Sequence, residues 1–401
     1  MKNKKSFLTI IVLSIFFIYI TNIAAIPEKM ILFENQDYDI NLLNGIKIEE
    51  IKESRNEPSS FINKIKLQLK ALGIIPVKDI SVSVVPEQLV VPAGETLGVK
   101  LYSKGVLVVG KAIVEGIDGK DYEPYNTTNI EPGDSIFLLN NKEIETIEDL
   151  KTVVRESNGE KLKIVYKKDN EIVEETITPV KSIDGNSYKL GLWVRDGAMG
   201  IGTLSFVDVE SGKFAALGHG VSDSDTKKKI EIESGVLSEA NIVSITKGKK
   251  DSPGEILGVL DNNKIVGNIE KNTDIGIYGT LNITKTSDFD NSKAIKVATR
   301  KEIEIGKASI LCTLENGKTE EYEIEIQKKY LDKDVSSKCM IIQITDEKLL
   351  KKTGGIIQGM SGSPILQNGK LIGVVTHVFV NDSTRGYAVF ADMMLEEMYS
   401  N

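Results

Sequence analysis

Gln358-Gly359-Met360-Ser361-Gly362-Ser363-Pro364 leads directly into Ile365-Leu366, an Asn368-Gly369 turn and the apolar run Leu371 to Val380. A serine with glycine two residues before it and one after it, and a proline opening a strand, reads as a nucleophile held on a tight turn. Glycines permit backbone on which the amides of the serine and of the residue two before it converge. Here those are Ser361 and Gly359, a candidate oxyanion hole for a tetrahedral intermediate. The plainer reading is a Gly/Ser-rich turn before a strand. Ser363 is the neighbouring candidate nucleophile, but it has no glycine two residues on and Pro364 follows it directly.

Such a serine needs a base of near-neutral pKa, and the 401-residue chain has 2 histidines. His219 closes the apolar run Ala215-Ala216-Leu217 in a glycine-flanked turn, Gly218-His219-Gly220. His377 lies within Gly373-Val374-Val375-Thr376-His377-Val378-Phe379, where alternation puts it on one face with Val375 and Phe379, in a core or groove-lining role. His219 is therefore the expected base. Two aspartates compete for the third position. Asp274, in Thr273-Asp274-Ile275-Gly276-Ile277, falls between His219 and Ser361, and its plain reading is a turn residue opening a strand. Asp346, in Ile344-Thr345-Asp346-Glu347-Lys348-Leu349, reads plainly as the N-cap of a short helix. The residues by themselves lean to Asp274.

Around this motif, the region from about Lys181 to the end is a succession of short β-branched runs separated by turn residues, which suits one or two closed barrels. Upstream, from about Ile80 to Pro179, further short strands surround one expected helix, Ile147 to Glu156, in a compact β-rich module. Residues 28 to about 75 are rich in Glu, Lys and Asn and read as a spacer. The apolar positions of Phe61 to Leu72 there fit a short helix and a strand about equally. At the amino end, Lys2, Lys4 and Lys5 precede twenty uncharged residues from Phe7 to Ile26. This is the pattern of a signal peptide or an uncleaved anchor, which would place everything after Pro27 outside the cytoplasm.

Composition narrows the function. With 50 Lys plus Arg against 58 Asp plus Glu, the formal charge of −8 disfavours a nucleic-acid partner. Two cysteines, Cys312 and Cys339, cannot build a disulfide framework, and with two histidines they make a structural zinc site a poor expectation. No metal or cofactor is expected.

The Gly-x-Ser-Gly turn, with a histidine before it, is similar to the nucleophile pattern of chymotrypsin-like proteases. Thr96-Leu97-Gly98-Val99-Lys100-Leu101, followed by Glu131-Pro132-Gly133-Asp134-Ser135-Ile136, the Asn140-Asn141 turn and the helix at Ile147, resembles a PDZ domain. In that resemblance Leu97, Gly98 and Val99 form the loop that receives a peptide carboxylate. The stretch from Ile113 to Asn129 departs from the usual PDZ pattern. More specifically, the stretches 190–204 (LGLWVRDGAMGIGTL), 216–220 (ALGHG) and 344–365 (ITDEKLLKKTGGIIQGMSGSPI) resemble the SpoIVB peptidases, stage IV sporulation proteases of endospore-forming bacteria.

That resemblance covers roughly residues 80 to 401 and implies a mainly β chain: a signal or anchor segment over 1–26, a spacer over 27–79, a PDZ domain over 80–180, and a chymotrypsin-like double-barrel peptidase over 181–401. It carries the catalytic triad onto His219, Asp346 and Ser361, so that on the third member it departs from the lean to Asp274. It further implies secretion into the space between the forespore and mother-cell membranes, self-cleavage, and cleavage of a membrane-bound regulator that releases an intramembrane protease to process a sigma factor. The expected partners are thus a protein substrate, a PDZ ligand drawn from the substrate or the chain itself, and the membrane. The competing function is a PDZ-bearing adaptor whose barrel has lost catalysis.

Overall fold

The computed structural model describes residues 28–33, 46–51, 63–71, 74–85 and 88–400, apart from 170, 186, 316 and 332–335, together with 17, 20, 21 and 23. The expected signal or anchor segment over 7–26 thus lies almost wholly outside the described residues. Among the described residues no helix is long and apolar enough to cross a membrane.

The chain is mainly β, as its runs of β-branched residues anticipate. The expected spacer is a sheet. Strands Lys29–Phe33, Ile75–Val85, Asn63–Ala71 and Ile46–Ile51 lie side by side in that order, and Ile80 to Val85 belongs to it. Of the two readings of Phe61 to Leu72, the alternating one is met over the described part. Leu67 and Leu69 are buried with Ile80 and Val82, whereas a helix would have turned them to different faces.

Six strands build a first sheet: β1 (Thr96–Lys111), β2 (Leu192–Val207), β3 (Lys213–Ala216), β4 (Ile232–Thr246), β5 (Glu255–Thr273) and β6 (Gly276–Leu281). They pair antiparallel in the order β1-β4-β5-β6-β3-β2, and β2 returns to β1, so the ring closes. Leu97, Val99 and Leu101 alternate into its core with Leu204, Phe214, Ala216 and Ile277.

This placement corrects the expected peptide-binding loop. Leu97, Gly98 and Val99 lie within β1, with Gly98 opposite Ile201 on one edge and Ser238 on the other. No amide cradle is open there. A Cβ at Gly98 would stand 2.4 Å from Leu260 and 2.6 Å from the Ser238 hydroxyl. The glycine therefore serves close packing of the β4–β5 hairpin rather than an anion.

The expected 80–180 domain is also redrawn. Beyond the ring, β1 and β2 continue as a two-stranded ribbon, with Gly110 opposite Trp193 and Lys111 opposite Leu192. The ribbon carries a second core, Val106 to Leu190, formed by α1 (Ile147–Glu156) and strands Ser135–Leu139, Leu162–Lys168 and Glu171–Ile177. Thr146 and Asp149 close α1 with a reciprocal capping box, and Leu150, Val153 and Val154 are its buried face. This module is an insertion between two neighbouring strands of the ring, so a cut at residue 181 does not separate two bodies.

The second sheet is a closed barrel of β7 (Gly306–Glu315), β8 (Lys318–Lys329), β9 (Met340–Ile344), β10 (Pro364–Gln367), β11 (Lys370–Phe379) and β12 (Asp382–Phe390), in the order β7-β8-β9-β12-β11-β10. The short helix α2 (Glu347–Thr353) follows β9, and α3 (Ala391–Tyr399) ends the chain's described part.

Gly98→Val tests the corrected placement. Overpacking at a site enclosed by Leu260 and Ser238 should cost about 1–3 kcal/mol, seen as a lowered Tm with peptide and small-ester hydrolysis falling together. Unchanged unfolding with a selective loss of peptide capture would restore the loop reading.

Candidate active site

The turn carrying Ser361 is fixed by close approach. Gly359 and Gly362 have φ of +98° and +106°, a region that favours glycine. A Cβ on Gly362 would stand 2.0 Å from the Thr203 carbonyl oxygen. Strand β2 of the ring is in this way laid directly against the Ser361 turn of the barrel. The Thr203 amide donates to the Ser361 carbonyl at 3.1 Å, and the Thr203 hydroxyl donates to the Gly359 carbonyl at 2.7 Å. From the barrel side, Gly362 N–H donates to Val375 O at 2.8 Å and Val375 N–H to Ser363 O at 2.9 Å.

With those bonds made, the amides of Met360, Gly362 and Ser363 are engaged, whereas no hydrogen bond among the described residues uses the amides of Gly359 or Ser361. These are the two donors expected to form an oxyanion hole. Ser363 is fully buried with its hydroxyl unpartnered, and it does not line the cleft. Ser361 does line it.

His219 follows β3 through a strained turn. Leu217 and Gly218 both take left-handed backbone, φ +68° and +69°, and for a branched residue such as Leu217 that conformation costs on the order of 1–3 kcal/mol. The turn is held by Leu217 N–H donating to Thr203 O at 3.2 Å and Gly218 N–H donating to Ala216 O at 2.9 Å. Thr203 thus ties both the serine turn and the histidine turn. His219 Nδ1 lies 2.9 Å from the Gly220 carbonyl oxygen. A carbonyl can only accept, so this bond places the proton on Nδ1 and leaves Nε2 as the basic atom.

Ser361 and His219 line one cleft of about 490 Å³, with Met199, Ile201, Gln358 and His377 among its walls. His377 faces His219, ring centroids 4.8 Å apart and tilted by 41°. His377 lines the groove, but not with Val375 and Phe379 as alternation would have it: a register shift between Val375 and His377 breaks the ladder, and Thr376 and Val378 share the cleft wall instead. Burial pushes both imidazoles below their ordinary range. For His377 the further repulsion of His219 and Lys338 brings the pKa to about 4; for His219 the bond to Gly220 O opposes the burial only partly. Both rings are therefore neutral at pH 7, as a general base must be. The Ser361 hydroxyl donates to the Thr376 carbonyl at 2.5 Å.

Neither candidate aspartate reaches this cleft, whose lining carries no acidic side chain. Asp346 is the N-cap of α2: its carboxylate accepts from Leu349 N–H at 2.8 Å and from Glu323 N–H at 3.4 Å. Asp274 stands nearer the histidine loop, since a Cβ on Gly220 would meet the Thr273 carbonyl at 2.4 Å, but its carboxylate is exposed and paired with Lys229 at 2.7 Å. The group that orients His219 here is the Gly220 carbonyl. The sequence offers no signal for it, nor for Thr203, because backbone carbonyls and an isolated threonine form no motif. Leu97, Gly98 and Val99 do not join the catalytic residues as a peptide loop, although Val99 reaches the cleft wall from β1.

The two roles of Asp346 are separable by one substitution. Asn caps a helix nearly as well as Asp, so Asp346→Asn should leave turnover within a few-fold of the parent, and Asp346→Ala should cost about 1 kcal/mol of stability. A loss of about 10⁴-fold in kcat for Asp346→Asn, with unfolding unchanged, would show instead that its carboxylate orients His219 during turnover.

The chain was also compared with known proteins. A sequence profile of the SpoIVB peptidase S55 family matches residues 186–395. Among solved structures, the chain is similar to the HtrA-type protease AlgW bound to a decapeptide, at 13% identity, covering 51% of this chain and 53% of AlgW with a TM-score of 0.28. The chain therefore spans about half the length of AlgW. A protease from M. tuberculosis in its active form matches at 13% identity over 48% of this chain and 70% of that one, TM-score 0.26. The PDZ domain of an SdrC-like protein from Listeria monocytogenes matches at 18% identity over 23% of this chain and 87% of that one, TM-score 0.19. The family match spans more than half of the chain, and the chain belongs to the SpoIVB peptidase S55 family of serine endopeptidases.

Proposed function

We propose that this serine peptidase uses Ser361 as nucleophile, His219 as general base and the amides of Gly359 and Ser361 as oxyanion hole. The observation that carries the reading is the pair of unengaged amides on the turn that places Ser361 in one cleft with a neutral His219. In the first step Ser361 Oγ leaves its bond to Thr376 O, gives its proton to His219 Nε2 and attacks the scissile carbonyl. His219 then returns that proton to the leaving amine. The cleft walls carry no Asp, Glu, Lys or Arg. A cleavage site bearing apolar side chains fits such walls best, since a charge there would lose hydration without gaining a partner.

Family membership together with the amino-terminal sequence supports a finer role. We infer an exported or membrane-anchored endopeptidase that cleaves itself and a membrane-associated regulator during endospore formation, with sigma-factor processing as the consequence. In this reading the inserted module is a PDZ domain that docks substrate or a segment of the chain itself. The competing reading, an adaptor with a non-catalytic barrel, draws its one support from the Ser361 hydroxyl, which is bonded to Thr376 O rather than to an imidazole.

A serine-directed fluorophosphonate separates the two. The full chain should be labelled on Ser361 and should fragment itself on storage, and Ser361→Ala should abolish both while leaving Tm nearly unchanged. An unlabelled, stable wild-type chain would favour the adaptor, and label lost only in Ser363→Ala would move the nucleophile.

A further inference from the structure

Strand β2 runs from the inserted module to the nucleophile turn, and one of its edges is unoccupied. From Gly197 to Gly202 it pairs with β1 on one side, and among the described residues no strand pairs with its other side. Ala198, Met199, Gly200 and Ile201 line the catalytic cleft, and Met199 is 69% exposed. At the far end of the same strand a second cavity of about 680 Å³ opens between ring and module. Tyr102 and Met199 face it from the ring, Glu145 and Thr146 from the turn before α1, and Arg195 and Asp223 complete its wall. The two cavities share Ala198, Met199, Val221 and Ser222, so they adjoin along the strand.

The far wall is firmly built. Arg195 is paired with the buried Asp223 and with Asp225 at 2.7 Å, which ties β2 to the loop that follows His219. Asp196 accepts from Ile147 N–H, the first turn of α1, at 3.1 Å. Strand β2 thereby ties the module to the loop that follows His219.

We propose that the open edge of β2 is a substrate-binding strand that leads the polypeptide from Ser361 into the second cavity. The inference rests on the peptidase reading and deepens it. The β1 to β6 pairings are all antiparallel, and an added strand that keeps this pattern must run opposite to β2, from the nucleophile turn toward the module. The residues bound there are therefore those on the carboxyl side of the cut. From Gly202 to Gly197 the edge spans about 17 Å at ~3.4 Å per residue. A substrate thus needs about six residues beyond the scissile bond to reach the second cavity. Main-chain hydrogen bonds make the recognition tolerant of sequence, and the module contributes Glu145 and Thr146 to the wall of the second cavity.

The probe is a library of random-sequence hexadecapeptides offered to the full chain, with cut positions read by mass spectrometry. Cuts leaving six or more residues on the carboxyl side should proceed about tenfold faster per bond than cuts leaving three or fewer. In nested peptides around one preferred bond, N-methylation of alternate amides on the carboxyl side should lower kcat/KM about tenfold, while methylation of the amides between them should change it little, because a strand edge meets every second residue. Equal rates for short and long carboxyl sides, no alternation on methylation, or an uncut library in the presence of a Ser361 that still takes the phosphonate would overturn the inference and leave the peptidase reading standing. A chain that neither labels nor cuts would defeat both.

Discussion

The site depends on one close approach. Thr203, in the middle of a ring strand, lies so near the nucleophile turn that Gly362 has no room for a Cβ. Its amide and hydroxyl hold the carbonyls of Ser361 and Gly359, and its own carbonyl accepts from Leu217, two residues before His219. One residue of the ring thus sets the position of a turn from the barrel and a turn from the ring. The amides of Gly359 and Ser361 lie in the neighbouring peptide planes, those of the Gln358 and Met360 carbonyls, and among the described residues they are left without protein partners. Buried backbone groups are normally paired, and an unpaired pair at a cleft is the arrangement that a developing oxyanion requires.

The electrostatics of the cleft follow from what is missing from its walls. With no carboxylate lining it, burial is the largest influence on the imidazoles, joined at His377 by repulsion from His219 and Lys338 and opposed only partly at His219 by the Gly220 carbonyl, and both stay neutral. Orientation of His219 falls to the Gly220 carbonyl, which fixes the tautomer but carries no full charge. Such a base is available over a wide pH range, although it stabilises the imidazolium less than a buried aspartate would. The aspartate carried over by family resemblance is instead engaged in closing a helix, where two backbone amides hold its carboxylate.

Much of this was legible in the chain. Turn chemistry was the clearest signal: Asn368 and Gly369 take left-handed backbone between β10 and β11, as do Asn140 and Asn141 in the module. The α1 helix follows its capping box and apolar spacing over the residues expected. The serine turn and the histidine turn, read as separate motifs, line one cleft. What failed was assignment of a glycine by its local pattern. Leu97-Gly98-Val99 has the look of a ligand loop, yet the hairpin packed over Gly98 is distant in sequence and invisible to spacing. The same limit explains the inserted module, because nothing local says that β1 and β2, eighty residues apart, are adjacent in the ring. It also explains the amino-terminal sheet, whose alternating strands are diluted by the charged residues around them.

The central claim is that His219 works in an uncharged, half-buried cleft and is oriented by a backbone carbonyl. It is tested most directly by the pH dependence of kcat/KM. Burial disfavours the imidazolium, so the folded enzyme holds the neutral base to lower pH than a free histidine does, and activity should fall on acidification with a midpoint below 6.5. A carboxylate in contact with the ring would favour the imidazolium and move the midpoint the other way. An acid limb centred at or above 6.5 would therefore contradict the account.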